Sequence, residues 1–253
     1  MTLARFAMLS CLVLGSSPVF SQYYEPREYQ PSDARYFTAG VVQREFSPRG
    51  SNSLPESLAL GYDRLMPVVS FKQGPVDIQF GYTSFRLLGR SRASIFFGAT
   101  VSDELPVSGK RPSVLVVPIL LAADFTKTEG IGFERENFNI ASVGIGLGLK
   151  YRHIGEEMDF SLSGVQVFHY STEGFSTGTV FSAATLGEAL ILLRSIRLLE
   201  GVAFGYRFRL QTWAMSNSKF NYRLVAHGPF IGILFENQDG LVRILVCLIL
   251  TGC

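Results

Sequence analysis

Residues 168–174, FHYSTEG, combine three residue types that hydrolytic enzymes use for nucleophilic catalysis. His169 and Ser171 are two positions apart, and Glu173 follows at the same interval. In a catalytic triad, a histidine takes the proton of a serine hydroxyl while a carboxylate orients the histidine. Short motifs of this kind also arise without any catalytic role. The other interpretation is therefore a polar histidine at the rim of a loop.

Other kinds of chemistry have little support in the sequence. The three histidines, His153, His169 and His227, form no cluster of metal-ligand spacing with cysteines. A zinc or iron enzyme is therefore not expected, and neither a metal nor another cofactor is predicted. The formal net charge of +2 gives no reason to expect nucleic acid as a partner.

The elements that would position these residues are β-strands. Residues 202–211 place large apolar side chains at even positions and small, cationic or amide side chains at odd positions. Side chains of a strand alternate between its two faces, so one face of a strand here would be apolar. Residues 76–82, 93–102 and 143–152 alternate in the same way. In all, ten segments are typical of strands, near 36–46, 59–72, 76–85, 92–101, 113–124, 138–152, 158–170, 180–193, 201–213 and 222–235.

The connections between these segments alternate in length. Tight connections fall at 72–75, 153–158 and 194–200, with 102–112 as a longer exception. Longer polar connections fall at 47–57, 85–92, 124–137, 171–178 and 214–220. Counted from the N-terminus, the long connections lie at one end of the strands and the tight ones at the other. Bacterial outer-membrane barrels have this asymmetry, together with an even number of strands.

The composition of the polar face indicates an interior. A soluble antiparallel sheet would turn Lys and Glu toward water, whereas the polar face here is dominated by Gly, Ser and a few charges. The sequence therefore predicts an all-β fold, an antiparallel transmembrane β-barrel of about ten strands, with its apolar face toward lipid. Gly144, Gly146 and Gly148 alternate within a strand and are interpreted as leaving room for bulky lumen residues such as Phe96.

Aromatic residues near the strand ends are interpreted as interfacial girdles. They are Phe46, Tyr82, Phe138, Tyr151, Tyr170, Trp213, Tyr222 and Phe235. Two segments fit the alternation less well. Residues 113–123 are apolar at both parities and contain Pro118, and Glu188 shares its parity with Leu186, Leu190 and Leu192. A bulge in either segment would shift the register.

The two ends of the chain differ from its middle. Residues 1–21 have the basic, apolar and small-residue regions of a signal peptide, which predicts Sec-type export and cleavage near Ser21. Residues 22–35 form a polar lead-in, 36–235 the barrel, and 236–253 a tail of undetermined structure. Cys247 and Cys253 lie in that tail, and the sequence is compatible either with a disulfide between them or with two free thiols.

Together these features resemble the small outer-membrane β-barrel proteins of Gram-negative bacteria. The signal peptide, the ten alternating segments and HGPFIGILF, residues 227–235, carry the resemblance. In the last stretch, Ile231 and Ile233 lead to Phe235, as in the closing strand of that family. The resemblance implies residence in the outer membrane, contact with its lipids and lipopolysaccharide, and a closing strand read by the barrel-assembly machinery. The chain departs from the family by continuing beyond Phe235.

The His169 and Ser171 pattern is similar to that of the lipid A 3-O-deacylase barrels. That resemblance implies that His169 is the base and Ser171 the nucleophile. The chain departs from the family pattern, since Thr172 replaces an asparagine and Ala183 stands at the position of the acid. Glu173 is too near to replace that acid unambiguously. His169 also has the parity of the predicted lumen face, so the interpretation as a rim histidine is favoured.

Five charged residues are predicted to line the lumen: Asp77, Lys150, Arg152, Arg207 and Arg209. Basic side chains in a pore would favour anions. The other interpretation is a salt-bridged plug. A barrel of about ten strands is only slightly wider than the eight-stranded barrels whose interiors side chains can fill, which favours the plug.

Three functional hypotheses follow. The favoured one is a non-enzymatic outer-membrane barrel with a structural role, an adhesive role through its loops, or a role in narrow passage of small solutes. The alternative is an outer-membrane lipid acyl hydrolase that uses His169 and Ser171. A secreted soluble barrel that binds an apolar ligand is disfavoured, because it would expose its apolar face to water.

Overall fold

The computed structural model describes residues 35–49, 64–87, 90–110, 112–129, 137–172, 179–196, 199–214 and 221–235. They form ten strands: β1 (Arg35–Arg49), β2 (Arg64–Gln73), β3 (Val76–Leu87), β4 (Arg90–Lys110), β5 (Ser113–Thr128), β6 (Phe138–Ile154), β7 (Met158–Thr172), β8 (Thr179–Ile196), β9 (Leu199–Trp213) and β10 (Asn221–Phe235). The predicted signal peptide, most of the lead-in, Glu173 and the tail with Cys247 and Cys253 lie outside the described residues.

The ten strands close into one antiparallel barrel. Each strand pairs with its neighbours in the chain, and β1 pairs with β10, so that Arg35 lies opposite Phe235. Closure gives every strand a partner on both sides and leaves no open edge. The predicted all-β fold with an even number of strands is confirmed.

Two connections differ from their predicted lengths. β4 continues to Lys110 and β5 begins at Ser113, so the predicted longer connection 102–112 is wrong. A register shift between Pro106 and Ser108 accommodates the additional residues within the strand. At the other end, Leu87 pairs with Arg90, so the predicted long connection 85–92 is also wrong and is a tight hairpin.

The outer face of the barrel is apolar. On β6, Val143, Ile145, Leu147 and Leu149 are all more than half exposed, while the intervening residues face inward. On β8, Phe181 is 76% exposed. No described helix is long and apolar enough to cross a membrane.

The lumen is more apolar than the sequence predicted. On β5, Val114, Val116 and Leu120 are buried while the alternate residues turn outward. On β8, Leu190 and Leu192 are buried, and the pairing of β8 with both neighbours continues without a register shift on either side. Glu188 and these leucines therefore share the lumen face, and the expected face of glycine, serine and charge is wrong for this part of the barrel.

Three of the predicted girdle aromatics lie inside the barrel. Phe138, Trp213 and Tyr222 are buried, with ring centroids 5.2 Å apart for Phe138–Trp213 and 5.7 Å apart for Phe138–Tyr222. The prediction is wrong for them because they have the parity of the inward residues of their strands. Tyr82, Tyr151 and Tyr170 are exposed, whereas Phe235 is buried and stacks on Phe71. The side chain of Phe46 lies outside the described residues.

The alternating glycines of β6 make room for β7 rather than for Phe96. A Cβ atom on Gly144 would lie 2.7 Å from His169 Cδ2, and one on Gly148 would lie 2.8 Å from Val165 Cγ2. The predicted neighbour, Phe96, instead lies against Gly98. Gly144 and Gly148 therefore allow the inward side chains of β7 to pack close to β6.

Candidate functional site

The strongest feature of the lumen is a pair of arginines on β9. Arg207 Nε donates to Glu188 Oε2 on β8 at 2.7 Å, and Arg207 Nη1 donates to Ser70 Oγ on β2 at 2.8 Å. Its Nη2 lies 3.6 Å from Asp77 Oδ2 on β3, four strands away around the barrel. In a barrel of ten strands no strand lies more than five away. Arg207 therefore links nearly opposite walls.

Arg209 links the lumen in the other direction. Its Nη2 lies 2.8 Å from Asp124 Oδ2 on β5, which is four strands from β9 on the other side. Arg209 also donates to Gln211 Oε1. Each guanidinium covers an aromatic ring, Arg207 over Phe230 at 4.4 Å and Arg209 over Phe96 at 4.9 Å from the centroid. Such cation–π contacts add to the ion pairs where water is excluded.

A third link joins β6 to β4. Lys150 Nζ lies 2.7 Å from Glu104 Oε1, and Arg152 Nη1 lies 3.4 Å from Glu104 Oε2. One carboxylate thus serves two cations. We call these eight residues the ionic belt: Asp77, Glu104, Asp124, Lys150, Arg152, Glu188, Arg207 and Arg209.

Packed side chains lie at both ends of the belt. Toward the tight turns there is a buried cluster formed by Tyr36, Leu190, Leu192, Ala203, Phe230 and Leu234. Toward the long connections lie the rings of Phe138, Trp213 and Tyr222. Buried side chains therefore pack inside the barrel toward both of its ends.

Between these layers the lumen holds a cavity of about 190 Å³. Its wall contains belt residues together with apolar residues that include Leu120, Val165 and Leu186. Lys72 and Lys150 line this cavity and also a smaller one of about 20 Å³.

The predicted catalytic residues lie in separate hydrogen-bond groups. His169 is 2% exposed and its Nε2 lies 3.1 Å from Asp124 Oδ2. Its Nδ1 makes no hydrogen bond to any described residue. Ser171 Oγ donates to Ser142 Oγ at 2.8 Å and lies 3.0 Å from Ser182 Oγ. A nucleophilic serine needs a hydrogen bond to its base. In this structure His169 contacts the carboxylate of Asp124, whereas the hydroxyl of Ser171 contacts the hydroxyls of Ser142 and Ser182.

The predicted lumen residues meet at the ionic belt. Asp77, Lys150, Arg207 and Arg209 line the larger cavity, and Arg152 lines the smaller one. Sequence reasoning missed the carboxylates of Glu104 and Asp124, which it placed in connections, as well as Lys72. The signal for Asp124 was its even position on β5, the parity of the buried residues Val116, Leu120 and Ala122. No group of three or more metal-ligating side chains occurs among the described residues.

Neither a family model nor a curated protein matches this chain. Among solved structures, Ail, the attachment invasion locus protein of Yersinia pestis, is similar at 5% identity over 80% of this chain and 99% of Ail, with a TM-score of 0.20. The P. putida toluene transporter TodX is similar at 6% identity over 83% of this chain and 92% of TodX, with a TM-score of 0.25. A Pseudomonas aeruginosa FadL homologue is similar at 7% identity over 79% of this chain and 89% of its own, with a TM-score of 0.21. The fold assignment rests on the strand pairing of this chain itself.

Proposed function

We propose that this protein is a non-enzymatic β-barrel of the bacterial outer membrane whose lumen is sealed by its own side chains. Its role is to hold the longer connections between its strands at one end of the barrel. One observation carries the proposal: Arg207 and Arg209 reach across the lumen in opposite directions to carboxylates four strands away. A lumen crossed in this way is a rigid support rather than a pore.

The outer face supports a membrane location. Soluble monomers rarely expose continuous apolar surface of more than a few hundred Å², yet exposed large apolar residues occur on all ten strands. A closed barrel satisfies every backbone hydrogen bond within lipid. Sec-type export, contact with outer-membrane lipids and lipopolysaccharide, and recognition of the strand ending at Phe235 by the barrel-assembly machinery belong to this proposal.

The ionic belt supports a sealed lumen. An ion that crosses it would have to pass the two links across the lumen, Arg207 to Asp77 at 3.6 Å and Arg209 to Asp124 at 2.8 Å. Removing one partner of a buried ion pair typically costs about 3–5 kcal/mol, because the other charge stays buried. The packed clusters at both ends add further barriers, so we expect no steady conductance.

The strand ends support a role for the connections. Residues 50–63, 130–136, 173–178 and 215–220 join strands at one end, whereas the turns at the other end are short. In outer-membrane barrels the longer connections face the outside of the cell. We propose that these connections contact external partners, as in adhesion, and that the barrel supports them.

The proposal is tested by fractionation and conductance. Expressed in a Gram-negative host, the full chain is expected in the outer-membrane fraction, with a heat-dependent mobility shift in SDS. Purified and inserted into planar bilayers, it is expected to give no stable current steps. A soluble periplasmic protein would contradict the location, and regular open-channel steps would contradict the sealed lumen.

A further inference from the structure

Polar side chains lie on the outer face of β7 to β10, near the middle of these strands. Thr185 on β8 donates to Gln166 Oε1 on β7 at 2.8 Å, and the hydroxyl of Tyr206 on β9 lies 2.6 Å from Nδ1 of His227 on β10. None of the described residues hydrogen-bonds to the amide nitrogen of Gln166 or to Nε2 of His227. Lipid chains offer neither donors nor acceptors, so polar groups that face them without a partner are costly. This part of the wall therefore favours contact with protein over contact with lipid.

The same part of the wall has a ridge beside a groove. On β9 the outward residues Phe204, Tyr206 and Phe208 are between 38% and 45% exposed, and we call them the aromatic ridge. On β8 four consecutive outward residues are small, and we call them the β8 groove: Ala183, Thr185, Gly187 and Ala189. Tyr206 lies opposite Ala189 in the register of the two strands. Phe208 lies opposite Gly187 in the same way, so large residues border small ones along the whole contact.

The β8 groove is open on its outer side. A Cβ atom on Gly187 would meet its first neighbour, Cβ of Phe208, at 3.7 Å, which is an ordinary van der Waals distance. The outer face of β6 differs from that of β8, because its consecutive outward residues are large: Val143, Ile145, Leu147 and Leu149. The depression is therefore a local feature of the wall, and another surface can approach the backbone of β8 closely.

A ridge and a groove on neighbouring strands form a self-complementary surface. A two-fold axis along the membrane normal, placed between β8 and β9, sets the aromatic ridge of each copy against the β8 groove of the other. The same axis brings Tyr206 of one copy toward Thr185 and Gln166 of the other. No residue of the ridge or the groove is charged, so two identical copies do not repel each other there. Within lipid, proteins associate through close packing and hydrogen bonds, and this surface offers both.

We infer that two copies of this protein associate in the membrane through the aromatic ridge and the β8 groove. The inference rests on the membrane location in the proposed function and goes beyond it, because a single barrel is sufficient to hold the connections. The dimer presents two sets of long connections side by side at the same surface.

The test cross-links the full chain in the outer membrane of a Gram-negative host. Cys247→Ser and Cys253→Ser remove the two cysteines beyond the predicted signal peptide, and Ala189→Cys then places a single thiol in the β8 groove. Ala99→Cys is the matched control, because Ala99 shares the outward face of β4, five strands from β9. After oxidation with copper phenanthroline, we expect at least fivefold more disulfide-linked dimer from Ala189→Cys than from Ala99→Cys.

A second substitution fills the groove. Gly187→Leu adds a side chain that points into lipid, and its Cβ atom meets no neighbour closer than 3.7 Å, so we expect the barrel to fold. Added to Ala189→Cys, it should lower the yield of linked dimer at least fivefold, whereas Ala99→Leu should leave the yield unchanged. Should Gly187→Leu not fold, the two cysteine positions still decide.

Several results would overturn the inference. They are no linked dimer in a barrel with a heat-dependent mobility shift, equal linking at the two cysteine positions, an unchanged yield in folded Gly187→Leu, and a disulfide to a different protein in place of a second copy. Each of these results would leave the proposed function intact, because a single barrel in the outer membrane still holds its connections. A soluble chain without the mobility shift would overturn both.

Discussion

Two unlike kinds of contact fill the lumen. One is the apolar cluster on β5, β7 and β8, in which Leu120, Val165 and Val167 are buried. The other is the ionic belt, whose pairs join β9 to β3, β5 and β8. Apolar packing is non-directional and tolerates small changes of shape. Ion pairs depend on both partners, so we expect substitutions in the ionic belt to have abrupt effects and substitutions in the apolar cluster to have gradual ones.

The largest effect is expected from removing one arginine. Arg207→Ala would remove the cation from Glu188 and Asp77, whose side chains are only 19% and 12% exposed. We expect the free energy of unfolding to fall by about 3–5 kcal/mol, measured by urea titration in micelles. Lys127→Ala, which breaks the more solvent-accessible pair with Glu129, should cost less than about 1 kcal/mol. Equal losses in the two variants would remove the distinction between belt and surface pairs.

A smaller effect is expected in the apolar cluster. Leu120 is 6% exposed, and Leu120→Ala should cost about 2–4 kcal/mol through lost burial and the enlarged cavity. Unlike Arg207→Ala, it should leave bilayer conductance at zero, because the ion pairs stay intact. Current steps in Leu120→Ala would show that the apolar cluster and the ionic belt seal the lumen in the same way.

A pair of glycine substitutions compares a tightly packed position of the barrel wall with an open one. Gly148 faces Val165 across the lumen side of β6, whereas nothing lies within 4 Å of a Cβ atom added to Gly164. Gly148→Ala should cost about 1–3 kcal/mol because it overpacks the contact with β7. Gly164→Ala should be neutral or slightly stabilising. The urea midpoints of the two variants measure the difference, and a similar loss in both would contradict the packing of β6 against β7.

The smallest loss of stability is expected for Ser171→Ala, the substitution that tests the hydrolase hypothesis. Ser171→Ala removes hydrogen bonds to Ser142 and Ser182, which should cost about 1 kcal/mol of stability. Because Ser171 and His169 lie in separate groups, we expect the lipid A acylation pattern of the cells to stay the same, as read by mass spectrometry. An altered pattern that His169→Gln reproduces would support the hydrolase and contradict the non-enzymatic proposal.

Local alternation was sufficient to predict the strands and much of the lumen. Arg207 and Arg209 could be assigned inward because the residues that alternate with them, Tyr206, Phe208 and Leu210, are large and apolar. The same parity would have placed Trp213 inside, but its position at a strand end suggested a lipid interface. Within one strand, the alternation of side chains predicted which residues face inward, even for Trp213, whose residue type favoured the lipid interface.

The partners of these residues could not be predicted from the sequence. Asp77 and Asp124 lie on strands four away from β9, and which residues meet across a lumen depends on the stagger of the whole barrel. Glu104 was hidden for another reason. The register shift between Pro106 and Ser108 lengthens β4 through a stretch whose Pro and Gly content is typical of a loop.

The most direct test of the sealed lumen compares wild-type protein with an Arg207→Ala/Arg209→Ala variant in planar bilayers. Both proteins would be selected for folding by their heat-dependent mobility shift. We predict a silent wild type and current steps in the variant, because both links to the far walls are removed. Steady channel activity in the wild type, or silence in the folded variant, would contradict the conclusion that the two arginines close this barrel.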